Sequence, residues 1–180
     1  VQASILVIDD EAPVRSAMQG LLKLCGYAAE TAGSAAEALI WLQEHPGCEL
    51  VLSDVLMPGD DGLLLLDQIC RDFPETPVVM LTAVQDVHVV TNAFRHGAID
   101  YLLKPFDRRQ LLEVVERALE HGRLQKQNAV YRENLEQIVS SRTSRLRATM
   151  HDLERSYDVT LEAMGAALDL RDAETEGHSR

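Results

Sequence analysis

Short apolar runs alternate, along the first two thirds of the chain, with stretches whose apolar residues recur every three or four positions. That alternation leaves few folds open. Residues 4–8 (SILVI) are aliphatic after the first serine, as a strand covered on both faces must be. Over 13–24, apolar residues fall at Val14, Met18, Leu21 and Leu22, a helical spacing that Gly26 is placed to stop. Strands are then expected over 27–31, 50–53, 78–81 and 99–102, with helices over 35–44, 63–73 and 87–95 between them. Ser34 is expected to cap the helix from 35, with Glu37 at capping-box distance. Five strand-then-helix units in about 120 residues predict an α/β fold. Its parallel sheet is doubly wound, has helices on both faces and is linked by right-handed crossovers.

Charge and breakers set the domain limits. Residues 1–120 carry a net charge of −11 and residues 121–180 a net charge of −1, together the −12 of the whole chain. All six prolines lie at or before Pro105, and neither glycine nor proline occurs between Gly122 and Gly165. The chain is therefore expected to divide into a globular domain over 1–120, a helical linker over 121–158 and a further segment over 159–180. A helical pattern persists from 107 to 161. Its apolar stripe runs through Leu124, Asn128, Tyr131, Leu135, Ile138 and Arg142, then Leu146, Met150, Leu153, Tyr157, Leu161, Met164 and Leu168. Alternating steps of three and four make a coiled-coil seam, and the extra step of four after Arg142 is a stutter. Such a helix either folds back on its own domain or pairs with a second copy. A parallel homodimer through this C-terminal helix is expected; the polar seam residues Asn128 and Arg142 cost it stability but can fix register and partner number.

Several classes are excluded. The negative charge argues against nucleic acid as a partner, and the Arg142, Arg145 and Arg147 cluster reads as a solvated helix face. No apolar run approaches a membrane span and no signal segment opens the chain, so a soluble, cytoplasmic protein is expected, with no membrane partner. Cys25, Cys48 and Cys70 share no CxxC spacing, which argues against a disulfide framework or a zinc site.

In a doubly wound sheet, ligands sit beyond the carboxyl ends of the strands. Those ends read Asp9-Asp10-Glu11, Asp54, Thr82-Ala83 and Tyr101-Leu102-Leu103-Lys104-Pro105. Three carboxylates, a hydroxyl and an ammonium are thus expected on one rim. Converging carboxylates repel and require a cation, and an all-oxygen ligand set selects Mg²⁺ or Mn²⁺ over zinc. Such a site suits phosphoryl chemistry, with a carboxylate as nucleophile, Lys104 pairing with a phosphoryl oxygen and Thr82 donating a hydrogen bond.

With those residues in view, 1–120 resembles the receiver domain of two-component response regulators over its whole length. The resemblance rests on Asp9-Asp10, on Asp54-Val-Leu-Met-Pro58 with Gly62 eight residues after Asp54, on Thr82-Ala83 and on Lys104-Pro105. It implies a flavodoxin-like sheet of strand order 2-1-3-4-5 and Asp54 as acceptor of a phosphoryl group from a partner histidine kinase. It further implies Mg²⁺ held by Asp10, Asp54 and the backbone carbonyl of Leu56, with Asp9 acting partly through water. The Lys104–Pro105 bond is expected to be cis. Thr82 and Tyr101 are implied as the switch pair, Thr82 turning toward the phosphate and Tyr101 rotating inward. Leu56 and Val84, two residues beyond Asp54 and Thr82, stand where polar side chains in the family orient a hydrolytic water. Being aliphatic, they imply a long-lived acyl phosphate. The alternative reading, a magnesium-dependent phosphohydrolase using Asp54 as nucleophile, lacks the DxD pair such enzymes carry.

The last segment, from Val159, is similar to the opening of HD-GYP output domains, the metal-dependent cyclic di-GMP phosphodiesterases. Arg171-Asp172, Thr175 and Gly177-His178-Ser179 match their RDxxTxGHSxR stretch, Arg180 falling on its variable position, and Glu174 and His178 stand where a metal-ligating pair is implied. The HD pair and GYP segment do not occur within these 180 residues. This segment is therefore expected to be the truncated start of an output domain, without phosphodiesterase activity.

Overall fold

The computed structural model describes residues 2–57, 60–83 and 87–177. The strands are β1 (Ser4–Ile8), β2 (Ala28–Ala32), β3 (Leu50–Asp54), the short β4 (Leu56–Met57) and β5 (Asp60–Asp61), β6 (Val78–Thr82) and β7 (Asp100–Leu103). The helices are α1 (Ala12–Leu24), α2 (Ala35–Glu44), α3 (Gly62–Asp72), α4 (Val87–Arg95) and α5 (Arg108–Gly177). β1, β2, β3, β6 and β7 form one parallel sheet in the order β2-β1-β3-β6-β7. Counting only these five, the order is 2-1-3-4-5, as the receiver resemblance implies. β4 and β5 make a separate antiparallel ribbon that the sequence did not announce, because two residues are too few for a periodic signal.

Both faces of the sheet are buried, which explains the unbroken apolar runs. From β1, Ile5 and Val7 point into a core closed by Met18 and Leu22 of α1 and by Leu111, Val114, Val115 and Ala118 of α5. Leu6 and Ile8 point the other way, onto Ala38 and Leu42 of α2 and Leu65, Leu66 and Ile69 of α3. Period-two alternation along a strand thus feeds two cores rather than one core and solvent.

Capping chemistry sets the edges. The Ser34 hydroxyl accepts from Glu37 N–H at 3.2 Å while Glu37 Oε2 accepts from Gly33 N–H at 2.7 Å, the reciprocal arrangement expected there. β2 begins one residue later than expected because Tyr27 N–H is committed to Leu22 O, closing α1 across Gly26, whose φ is 91°. α3 begins at Gly62 because Asp61 caps it, accepting from Leu63 N–H at 2.9 Å.

The chain divides into two compact units, Val1–Asn128 and Ala129–Arg180. In the second, α5 continues as helix, and Tyr131, Leu135, Ile138, Leu146, Met150, Leu153, Tyr157, Leu161 and Met164 along the seam are exposed. No described helix is long and apolar enough to cross a membrane. Pro58, Val84, His178, Ser179 and Arg180 lie outside the described residues, as do the side chains of Arg171, Asp172, Glu174 and Thr175.

Candidate functional site

The strand ends deliver the expected side chains to one place. β1 pairs with β2 on one side and β3 on the other, so chain order reverses at β1, and the rim beside it is where such sheets bind ligands. Asp9 follows the last residue of β1, Asp54 ends β3, Thr82 ends β6 and Lys104 follows β7. Carboxylate oxygens of Asp9, Asp10 and Asp54 lie within 4.8 Å of one another.

The three acids are held differently. Asp9 is fully buried, and each of its polar groups is engaged. Its Oδ2 meets Lys104 Nζ at 2.6 Å, its Oδ1 accepts from Glu11 N–H at 2.9 Å, its carbonyl accepts from Arg15 Nη1 at 2.5 Å, and its N–H reaches Ala32 O at 3.3 Å. Asp54 is 7% exposed; its Oδ2 meets Lys104 Nζ at 2.7 Å and its Oδ1 accepts from Leu56 N–H at 3.2 Å. Asp10 is exposed and its carboxylate has no hydrogen bond or ion pair among the described residues.

Lys104 is the counter-ion of the two buried acids. Burial lowers its pKa, but the hydrogen bonds and charges of Asp54 and Asp9 outweigh that effect and raise it above its ordinary 10.5. It therefore remains an ammonium at neutral pH. Its N–H donates to Thr82 O at 2.7 Å, and the Lys104–Pro105 bond is cis. Thr82 itself is 1% exposed.

α3 abuts the acceptor strand directly. A Cβ on Gly62 would stand 2.5 Å from Asp54 O and 2.6 Å from Val55 O, so the backbone approach requires glycine. Leu56, 61% exposed, offers no polar side chain beside the acids. Tyr101 is turned outward and 40% exposed, its ring edge-to-face with Phe94 at a centroid distance of 6.0 Å. Sequence reasoning named Tyr101 but missed Phe94 and Arg15. Arg15 carries no spacing signal and Phe94 only that of one more apolar position on α4; the tertiary contacts single them out.

The charge balance tests the fit of a metal. One ammonium faces three carboxylates, leaving two negative charges and one unengaged acid, Asp10. The donors are hard oxygens, and none of the three thiols joins them: Cys25, Cys48 and Cys70 are free, Cys48 buried with its Sγ 3.4 Å from Leu50 O. This donor set fits a magnesium-class ion.

A parallel sheet of this order with an acid cluster at its switch point is flavodoxin-like, with a site suited to phosphoryl chemistry. Residues 5–116 match the response regulator receiver domain, and the chain belongs to that family. Receiver domains are regulatory phosphoacceptors, phosphorylated on aspartate in two-component signalling; they bind Mg²⁺ at an acidic pocket and interact with histidine kinases. The chain is similar to the DNA-binding transcriptional regulator NtrC of Escherichia coli K12, with 38% identity over 123 residues, 68% of this chain and 26% of that protein. It is also similar to the C4-dicarboxylate transport transcriptional regulatory protein DctD of Rhizobium meliloti, 37% identical over 126 residues, 69% of this chain and 27% of that one. Among solved structures, the receiver domain of NtrX from Brucella abortus is 40% identical with a TM-score of 0.62, covering 64% of this chain and 98% of its own. The signal receiver domain of an HD domain-containing protein from Pseudomonas fluorescens Pf-5 is 31% identical with a TM-score of 0.63, covering 68% and 98%. The chain spans about a quarter of the length of the curated relatives it matches.

Proposed function

We propose that Asp54 is the residue of this chain that takes the phosphoryl group from the phosphohistidine of a cognate sensor kinase. The observation carrying this reading is the shared ammonium: Lys104 Nζ binds Asp54 and Asp9 at once, at 2.7 and 2.6 Å. A carboxylate so placed sits at the rim, buried but for a 7% exposed edge, beside a cation able to follow the incoming phosphoryl oxygens. In the transfer, an Asp54 oxygen forms the new P–O bond while the P–N bond to the kinase imidazole breaks, the electron pair leaving with the ring nitrogen. Lys104 stays protonated and pairs with a phosphoryl oxygen, and the Thr82 hydroxyl donates to another. Asp9, Asp10, Asp54 and the Leu56 carbonyl would hold Mg²⁺, which when bound neutralises charge on the transferring group.

Thr82 and Tyr101 then form the switch, Thr82 drawn to the phosphate and Tyr101 leaving Phe94 to turn inward. A dianion biases this equilibrium only through contacts that differ between its two states. The exposed seam on α5 supports a homodimer whose geometry the switch adjusts. The decisive experiment is labelling with radioactive acetyl phosphate and Mg²⁺. The parent takes up label and Asp54→Asn does not; equal uptake refutes the assignment. Scattering with and without beryllofluoride and Mg²⁺ tests the dimer, and unchanged mass and shape would refute its coupling to the site.

For the output, the match of 171–180 to the HD-GYP opening supports a cyclic di-GMP phosphodiesterase, and a similar receiver belongs to an HD domain-containing protein. The likeness to the transcriptional regulators NtrC and DctD favours a second reading, a transcriptional output. The coding sequence beyond residue 180 decides between them: an HD pair and GYP segment support the first and their absence refutes it.

A further inference from the structure

We propose that Arg15 is a positioning residue for the divalent ion, fixing the Asp9–Asp10 peptide so that the Asp10 carboxylate faces Asp54. This rests on the reading of Asp9, Asp10 and Asp54 as the ion site. Arg15 projects from the start of α1, where its N–H bonds Glu11 O at 3.0 Å. Its Nη1 donates to the Asp9 carbonyl at 2.5 Å. Its Cζ and both terminal nitrogens stand 3.3 Å from where a Cβ on Gly33 would be, so the guanidinium lies on the backbone of the β2–α2 turn. The side chain therefore spans the ends of β1 and β2, and among the described residues it forms no ion pair with a carboxylate.

The carbonyl that Arg15 holds is the oxygen of the Asp9–Asp10 peptide. Rotating that plane swings the Cα–Cβ bond of residue 10. Asp9 is anchored at its carboxylate and its N–H by other partners, and stays in place without Arg15. The Asp10 carboxylate has no anchor of its own among the described residues, so its direction depends on the peptide plane. Losing an outer partner of a metal ligand usually weakens binding 10–100-fold. Here the effect passes through one ligand of several, and about 10-fold is expected.

The test is Mn²⁺ uptake by the full chain, followed by electron paramagnetic resonance, with fold and stability checked in EDTA. The parent binds Mn²⁺, Asp10→Asn binds it weakly, Arg15→Met weakens uptake about 10-fold and Arg15→Lys, which still donates to the carbonyl, recovers most of the affinity. Gly33→Val, which wedges the guanidinium off its seat, gives a loss in the same direction should Arg15→Met fail to fold. Combined with Asp10→Asn, Arg15→Met adds no further loss, because both act through the same carboxylate. A parent that binds Mn²⁺ together with an Arg15→Met variant within two-fold of it, or fully additive losses, overturns the proposal. A parent that takes up no Mn²⁺ overturns instead the ion-site reading on which it rests.

Discussion

Replacing Asp10 by asparagine should make the metal-free protein more stable while removing what magnesium adds. Among the described residues the Asp10 carboxylate has no partner to lose, so the change removes only its charge. Its carboxylate lies within 4.8 Å of those of Asp9 and Asp54. At that distance Coulomb's law gives about 1–2 kcal/mol for each like pair, taking an effective dielectric of about 40–80 for an exposed group. The Lys104 ammonium, bonded to both buried acids, offsets about one of the two terms and leaves a net relief of roughly 1–2 kcal/mol. A bound ion reverses the comparison: at ten times its Kd it adds about 1.4 kcal/mol to the parent and little to a variant that binds poorly. The assay is urea unfolding followed by Trp41, the single tryptophan, in EDTA and again in Mg²⁺. Asp10→Asn should unfold at higher urea than the parent in EDTA, with the gap narrowing or inverting in Mg²⁺. A less stable variant in EDTA, or equal gains from Mg²⁺ in both proteins, would show that the acids are not in electrostatic conflict and would sink the reasoning.

Two glycines should respond to alanine with opposite signs. Gly20, exposed inside α1 with nothing within 4 Å of a Cβ, should gain about 0.5–1 kcal/mol, whereas Gly62, facing the Asp54 carbonyl, should lose roughly 1–3 kcal/mol or more; urea midpoints moving the same way would refute this. Burial pushes the Cys48 thiol from its usual 9.0 up to about 11, so its contribution is intact below pH 9 and is lost as pH rises from about 9 to about 11. The parent's stability should therefore fall more steeply over that window than that of Cys48→Ala, and parallel profiles would contradict it. The phosphorylated protein, with Leu56 and Val84 in place of water-orienting polar groups, should keep its acyl phosphate for hours; a half-life of seconds by acid-stable label counting is the opposing result. Phe94→Ala should shift Tyr101 toward the inward rotamer by roughly 2–12-fold, the equivalent of an edge-to-face pair of about 0.5–1.5 kcal/mol, read from ring resonances of Tyr101 with and without beryllofluoride. Unmoved populations would mean that Phe94 does not latch it.

Much of the scaffold was written locally. Ser34 with Glu37 marked α2, and the aliphatic runs marked strands covered on both faces, because each signal lies within a few consecutive residues. The acid rim was legible for a related reason: in a parallel sheet, position in the chain fixes which end of a strand a residue occupies, so Asp9, Asp54, Thr82 and Lys104 declared their place before any contact was known. What stayed hidden depends on contacts distant in sequence. That Asp9 is sealed while Asp10 is open reflects Lys104 and Arg15 closing over one and not the other. The Phe94–Tyr101 pair joins a helix to a neighbouring strand, and hydrophobic spacing marks Phe94 only as one more apolar position on α4. The ribbon of β4 and β5 pairs only two residues a side, too few to leave a periodic signal.

The opening turns of α5 have a wider bearing. Leu111, Val114, Val115 and Ala118 share their interior with Ile5, Val7, Leu52, Val79 and Leu81. Trimming the chain back to the last strand would not yield a minimal receiver; it would uncover the part of one sheet face that α1 does not reach. Whatever message leaves by this helix departs through side chains that also keep the receiver folded. Substitutions there that seem to alter signalling must be weighed against unfolding before they are credited to communication.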